Sequence, residues 1–339
     1  MNRYIYVMMK KALAILIGII LCKITLAQSL NADSIYLKQV SQVEISTTNF
    51  NKLLPLIINS GKNDEEKLTL VYYWVYSHIN FDMERFIKVG PLQPLNLSET
   101  LKSGKGMCYE YNEFIDAACK YLKIPGYHIE GYVKYYGFEV GQPFTENNHI
   151  WYTVYMNGKW RMIDMLWACG TLHAKADGFE FTKRLHKKYF LANPADFAET
   201  HLPADPVWQF ENHPLTMTGF INKAEGVDTT QRSSFINYAD SISVMNKLNP
   251  GDQELKGAIR AYHFNSANPN QLIVVYYNDA VNLVNNIKAT KNELQKAKKY
   301  FWQARSLISK STDTVIKSLA AVCDKGVLSI ENRLKYAKD

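Results

Sequence analysis

A cysteine, a histidine and an aspartate stand in an order that can carry out acyl transfer. Cys108 ends the stretch Gly104-Lys105-Gly106-Met107-Cys108, His149 opens His149-Ile150-Trp151, and Asp164 closes Arg161-Met162-Ile163-Asp164. In such a trio the sulfur attacks a carbonyl carbon. The imidazole takes the thiol proton and later delivers it to a leaving amine, and the carboxylate holds the imidazole in one tautomer.

These residues need two elements to position them. Tyr111, Ile115, Ala118 and Leu122 recur at helical spacing, and Ile124-Pro125-Gly126 stops the run, so a helix is expected from Cys108 to about Leu122. A cysteine at a helix start feels the positive end of the dipole, which favours thiolate, and its backbone N–H is a natural oxyanion donor. Glycines at 104 and 106 let the chain turn tightly beside the sulfur. Glu110 pulls the other way, because a nearby carboxylate opposes a thiolate.

The second element is a hairpin, His149 to Met156 and Lys159 to Leu166, joined by Asn157-Gly158. A two-residue turn pairs Met156 with Lys159. Continuing that register places His149 opposite Leu166 and Asp164 opposite Trp151. His149 and Asp164 then share a face as diagonal neighbours, about 7–8 Å apart, a gap that two polar side chains can close.

Each residue alone has a plainer reading. Cys108 is then a small buried apolar group, His149 a satisfied strand-end histidine and Asp164 an ordinary strand-end acid. Order, helix start and shared hairpin face favour the catalytic reading. A zinc site from Cys108, His149 and Asp164 is the poorer alternative, since no fourth ligand is indicated. No CxxC, HExxH or EF-hand spacing occurs, so neither metal nor organic cofactor is implied. Cys108 and Cys119 lie three helical turns apart, roughly 16 Å, beyond disulfide reach.

The chain of 339 residues is 47% hydrophobic and 21% charged, which suits a packed core. Residues 1–27 read as an export signal: Arg3, Lys10 and Lys11, the apolar run Ala12 to Leu21, then Thr25-Leu26-Ala27. Leu21 before Cys22 argues against lipidation. The net charge is +7; four basic residues and no acid leave with the signal, lowering it to +3. That balance is too mild to suggest nucleic acid, and no later stretch is apolar enough to span a bilayer. A secreted or periplasmic protein without stable membrane insertion is expected, with a protein or peptide as its substrate.

Three regions emerge from the patterning: 1–27 as signal; 28–215 with one short lead-in helix, a helix over 67–78, and the cysteine helix and hairpin; and 216–339 as helices alone. Residues 180–215 look irregular, punctuated by Pro194, Pro203, Pro206 and Pro214. The expected class is α+β with an all-α region after it.

At these residues the chain resembles the transglutaminase-like superfamily, whose members share a papain-like core with the cysteine helix packed on an antiparallel sheet. The motifs are WVYSHINFD (74–82), GKGMCYEY (104–111), LKIPGYHIEG (122–131), HIWYTVYMNGKW (149–160) and IDMLWACG (163–170). The segment KYFLANPADFAETHLPADPVWQF (188–210) is similar to the stretch immediately after the core in the kyphoscoliosis-peptidase-like branch. The resemblance implies Cys108 as nucleophile, His149 as base and Asp164 as orienting acid. Met165-Leu166 departs from the small or proline-type pair common after the aspartate. Family activities include isopeptide formation, peptide cleavage and amide hydrolysis, and some members have lost activity. The implied function is an exported Cys-His-Asp protease or amide hydrolase, with Trp151, Tyr109 and Trp167 lining its cleft. A binding module on an inactive scaffold and a cell-wall peptide amidase are the alternatives.

Overall fold

The computed structural model describes residues 33–88, 93–135, 137–176 and 178–335. The expected signal over 1–27 lies outside them. The chain divides into two compact units. The first holds the described residues up to Ile124 with Cys169–Thr171 and Phe181–Leu185; the second holds Pro125–Ala168, Leu172–Glu180 and the described residues from His186 onward.

In the first unit, two helices, α1 (33–40) and α2 (Phe50–Ile57), occupy the lead-in where the sequence suggests one. Helix α3 (Asp64–His78) starts earlier than its apolar stripe because the Asn63 side chain caps the Glu66 N–H, and three acids occupy its first turn. Then come β1 (Asn80–Phe81), α4 (Met83–Phe86), α5 (Leu97–Ser103), β2 (Lys105–Gly106) and α6 (Cys108–Leu122). Helix α6 spans the range its spacing predicts. Its Tyr111, Phe114, Ile115 and Ala118 are buried, as are Leu68, Val71, Trp74 and Val75 of α3. Phe114 meets Phe50 edge-on at 5.0 Å. Full burial of one such aromatic ring stabilises the fold by roughly 1.5–3 kcal/mol.

The second unit is built on the antiparallel sheet β5-β4-β3-β8, with β3 at Gly126–Val133, β4 at His149–Met156, β5 at Lys159–Ile163 and β8 at His201–Pro203. Met156 pairs with Lys159 and Tyr152 with Ile163, the register that a two-residue turn dictates. Asn157 (φ 53°) and Gly158 (φ 75°) are both left-handed, as a type I′ turn requires. The ladder stops sooner than expected, however. β5 ends at Ile163, and α7 (Met165–Cys169) begins directly after Asp164.

β6 (Gly170–Lys175) and β7 (Gly178–Lys183) form a separate two-stranded ribbon. The stretch whose sequence looks irregular contains α8 (Pro194–Phe197) as well as β8. Beyond it lie α9 (Met217–Ile221), α10 (Tyr238–Met245), α11 (Pro250–Phe264), α12 (Asn270–Asn285), α13 (Lys291–Ile308) and α14 (Thr314–Leu334). Leu272, Ile273, Ala280, Leu294, Ala297, Phe301 and Ala304 fill the core of this helical region. It is tied to the sheet side of the same unit: Arg260 grips Asp205 through two nitrogens (3.0 and 2.6 Å), and Asn268 donates to the Tyr132 hydroxyl (3.2 Å). No helix among the described residues is long and apolar enough to cross a membrane.

Candidate active site

In the first unit, a relay of backbone caps sets the position of Cys108. The parallel pair β1–β2 joins Asn80 to Lys105 and Phe81 to Gly106. Asp82, just past β1, donates its N–H to the Gly106 carbonyl (2.9 Å) and caps α4 through the Arg85 N–H (3.1 Å). Helix α4 thereby offers Arg85, whose guanidinium meets Glu110 at 3.1 Å. Glu110 also accepts from the N–H groups of Leu95 and Met107, each at 2.7 Å.

Glu110 is therefore a buried structural acid that caps α6 and is paired with Arg85. Gly106 is required here, because a Cβ would lie 2.9 Å from the Glu110 Cβ. Cys108 is the first residue of α6 and half-buried. Tyr109 beside it is 36% exposed.

Among the described residues no disulfide joins Cys108, Cys119, Cys169 or Cys323. Burial pushes the Cys119 thiol far up and the Cys323 thiol up to about 11, so neither competes as a nucleophile at neutral pH.

In the second unit, His149 and Asp164 are brought together. Nε2 of His149 lies 2.5 Å from Oδ2 of Asp164, and both side chains are fully buried. The route differs from a simple diagonal pair on the ladder. Asp164 leaves the strand to cap α7, its Oδ1 accepting the Trp167 N–H at 2.9 Å, and that cap ends β5 early.

A second imidazole reaches the same oxygen. His201, on β8, places Nε2 3.0 Å from Asp164 Oδ2 and Nδ1 2.7 Å from the Thr200 hydroxyl. With the hydroxyl donating to Nδ1, the proton of neutral His201 sits on Nε2 and is given to Asp164. Burial pushes His201 down to about 4, against the opposing pull of Asp164, which fits a neutral ring. Burial alone would raise the Asp164 carboxyl, but His149 and then His201 outweigh it and hold it well below the usual carboxylate range.

The ligand atoms of His149, Asp164 and His201 lie within 4.8 Å of one another. Hydrogen bonding accounts for these distances without an ion. The other nitrogen of His149, Nδ1, faces the Tyr135 hydroxyl at 2.8 Å.

Aromatic rings enclose this cluster. Trp167 meets His201 edge-on at 4.7 Å and lies 5.8 Å from His149. Trp151, expected on the cleft wall, is instead fully buried against Phe197 and His201, so its indole packs the core and offers no surface to a substrate. Trp167 remains half-buried. Sequence reasoning misses His201 and Tyr135. The only trace of His201 in the sequence is its place in the segment after the core, near prolines that disguise a three-residue strand.

Residues 52–165 match the Transglutaminase-like superfamily. The chain is 28% identical over 183 residues to Kyphoscoliosis peptidase of Mus musculus, covering 54% of this chain and 27% of that protein. Kyphoscoliosis peptidase of Homo sapiens is 26% identical over 201 residues, covering 57% and 30% respectively. Hillarin of Drosophila melanogaster is 24% identical over 211 residues, covering 56% and 25%. The chain thus spans three-tenths or less of the length of these relatives. Motifs, α+β architecture and matches agree: residues 52–165 of this chain form a transglutaminase-like, papain-like domain, and the chain is similar to the kyphoscoliosis peptidases.

Proposed function

We propose that the protein is an exported thiol-dependent acyl-transfer enzyme that hydrolyses amide bonds in proteins or peptides. Cys108 is the nucleophile, His149 the general base and Asp164 the acid that orients it. The observation that carries this reading is the locked imidazole. Asp164, itself fixed by His201 and the Trp167 N–H, holds Nε2 of His149. Nδ1, which faces the Tyr135 hydroxyl at 2.8 Å, is the nitrogen assigned to proton exchange. Two carboxylate-held nitrogens and an aromatic wall are more scaffolding than an ordinary core histidine needs.

In the proposed cycle the Cys108 thiol passes its proton to His149 as sulfur bonds to the carbonyl carbon. The carbon–nitrogen bond breaks, the amine leaves with that proton, and a thioester remains. Water, deprotonated by His149, hydrolyses it and restores the thiol. Hydrolysis is favoured over cross-linking because water is always present and no site for an acceptor amine is legible. Tyr109 and Trp167 are the proposed cleft residues.

The test is turnover of casein and of a glutamine-containing peptide, monitored by mass spectrometry, for wild type and Cys108→Ser. Wild type should cleave a backbone amide or release ammonia from the glutamine side chain, and the serine variant should lose at least about a hundredfold. Equal product from both proteins would refute a thiol mechanism. Peptidoglycan as a third substrate separates a cell-wall amidase from a protease.

A further inference from the structure

At the far end of the central hairpin from His149, we infer that an open edge of the sheet is a binding site for an extended acidic peptide segment. Seven residue steps of β4 separate His149 from Met156, roughly 23 Å along the strand, so the site is distinct from the histidine–aspartate cluster. It stands whether or not the thiol turns substrate over.

A cavity of about 870 Å³ opens beside the Asn157-Gly158 turn, lined in part by Tyr127, Tyr155, Trp160, Phe210 and Tyr238. That is a size typical of binding pockets. Phe210 holds a left-handed φ of 55° and stacks on Trp160 at 4.8 Å. Such strain in a bulky residue clusters at ligand clamps.

β5 is an edge strand. Met162 exchanges both backbone hydrogen bonds with Ala192 on the outer side. By the alternation of an antiparallel ladder, Trp160 also points its N–H and C=O outward. Among the described residues nothing pairs with them, because the chain leaves the edge after Ala192 to begin α8 at Pro194. An unpaired edge beside aromatic slots is the geometry of strand addition.

Charge selects the occupant. Lys159, Arg161 and Lys247 line the cavity against one acid, Glu211. None of the three cations forms an ion pair among the described residues. Along β5, Lys159 and Arg161 project to one face and Trp160 to the other, where Tyr155 stands opposite it. A strand laid on this edge therefore meets cations with alternate residues and aromatic rings with those between. The ligand is a peptide with acidic and apolar residues in alternation.

The test uses two fluorescein-labelled ten-residue peptides of equal composition. One alternates Glu and Val; the other has its valines and glutamates in separate blocks. Binding to the full chain carrying Cys108→Ser, which prevents turnover, is read by fluorescence anisotropy at low salt. The alternating peptide should bind about tenfold more tightly than the blocked one. Lys159→Glu with Lys247→Glu, both at exposed positions, should cost about tenfold, and Tyr155→Ala a similar factor. Adding His149→Ala should leave the affinity unchanged, so failure of the catalytic reading cannot imitate failure of this one. Equal affinity for both peptides, or affinity indifferent to the charge reversals, would overturn the site.

Discussion

His201 holds Asp164, and its protonation state has consequences beyond that contact. Its folded pKa lies at about 4, below the ordinary histidine value near 6.5. A depressed histidine contributes stability that is complete above about pH 6.5 and is lost as pH falls toward 4, because the unfolded chain binds the proton first. Asp164, held low, adds a loss in the same direction at still lower pH. His201→Gln keeps a donor for Asp164 without the titration. Urea unfolding at pH 7 and pH 4.5 should therefore show a smaller acid loss in the variant than in wild type, and equal losses would mean that the ring is not buried neutral. The proposed trio of Cys108, His149 and Asp164 stands out in the sequence because each has a reactive side chain at an element boundary that local spacing marks. His201 and the Arg85–Glu110 pair cannot, because their roles rest on contacts 37 and 25 residues away in the chain.

The hairpin shows what local chemistry can and cannot determine. Asn157-Gly158 sets the register because only residues that tolerate positive φ make a two-residue turn match the strand twist. The same pattern extends β5 too far. Asp164 prefers to cap a helix over remaining in the ladder, and the side chain that holds His149 is also the one that ends the strand. β8 is invisible for the opposite reason: three residues ending in Pro203 carry too little pattern to be read. Gly158→Val places a β-branched residue at φ 75° and should cost roughly 1–2 kcal/mol, measured by urea unfolding. An unchanged midpoint would show that the turn does not hold the register.

Across the molecule, the helices after residue 216 share a compact unit with the sheet, and the Arg260–Asp205 pair is one of their ties. Burial raises the Asp205 carboxyl, and Arg260 offsets part of that rise. Removing Arg260 leaves a buried carboxylate without its partner. Arg260→Ala should therefore destabilise the fold by roughly 3 kcal/mol at pH 7. An acid with a raised folded pKa loses stability as pH rises through it, so the deficit should shrink between pH 7 and pH 4 as Asp205 takes up its proton. Thermal unfolding at the two pH values checks the sign, and a deficit that grows in acid would contradict it. The pairing is hidden in the sequence because 55 residues separate its partners, whereas α10, α11, α12, α13 and α14 are legible from their spacing and punctuation.

The most direct measurement is the second-order rate of Cys108 alkylation by iodoacetamide at pH 7, site-resolved by peptide mass mapping, in wild type, His149→Ala and Asp164→Asn. Rapid alkylation in wild type that drops at least about tenfold in His149→Ala, with Asp164→Asn between them, is the result expected of a thiol served by an aspartate-held imidazole. The same slow rate in all three proteins would contradict it.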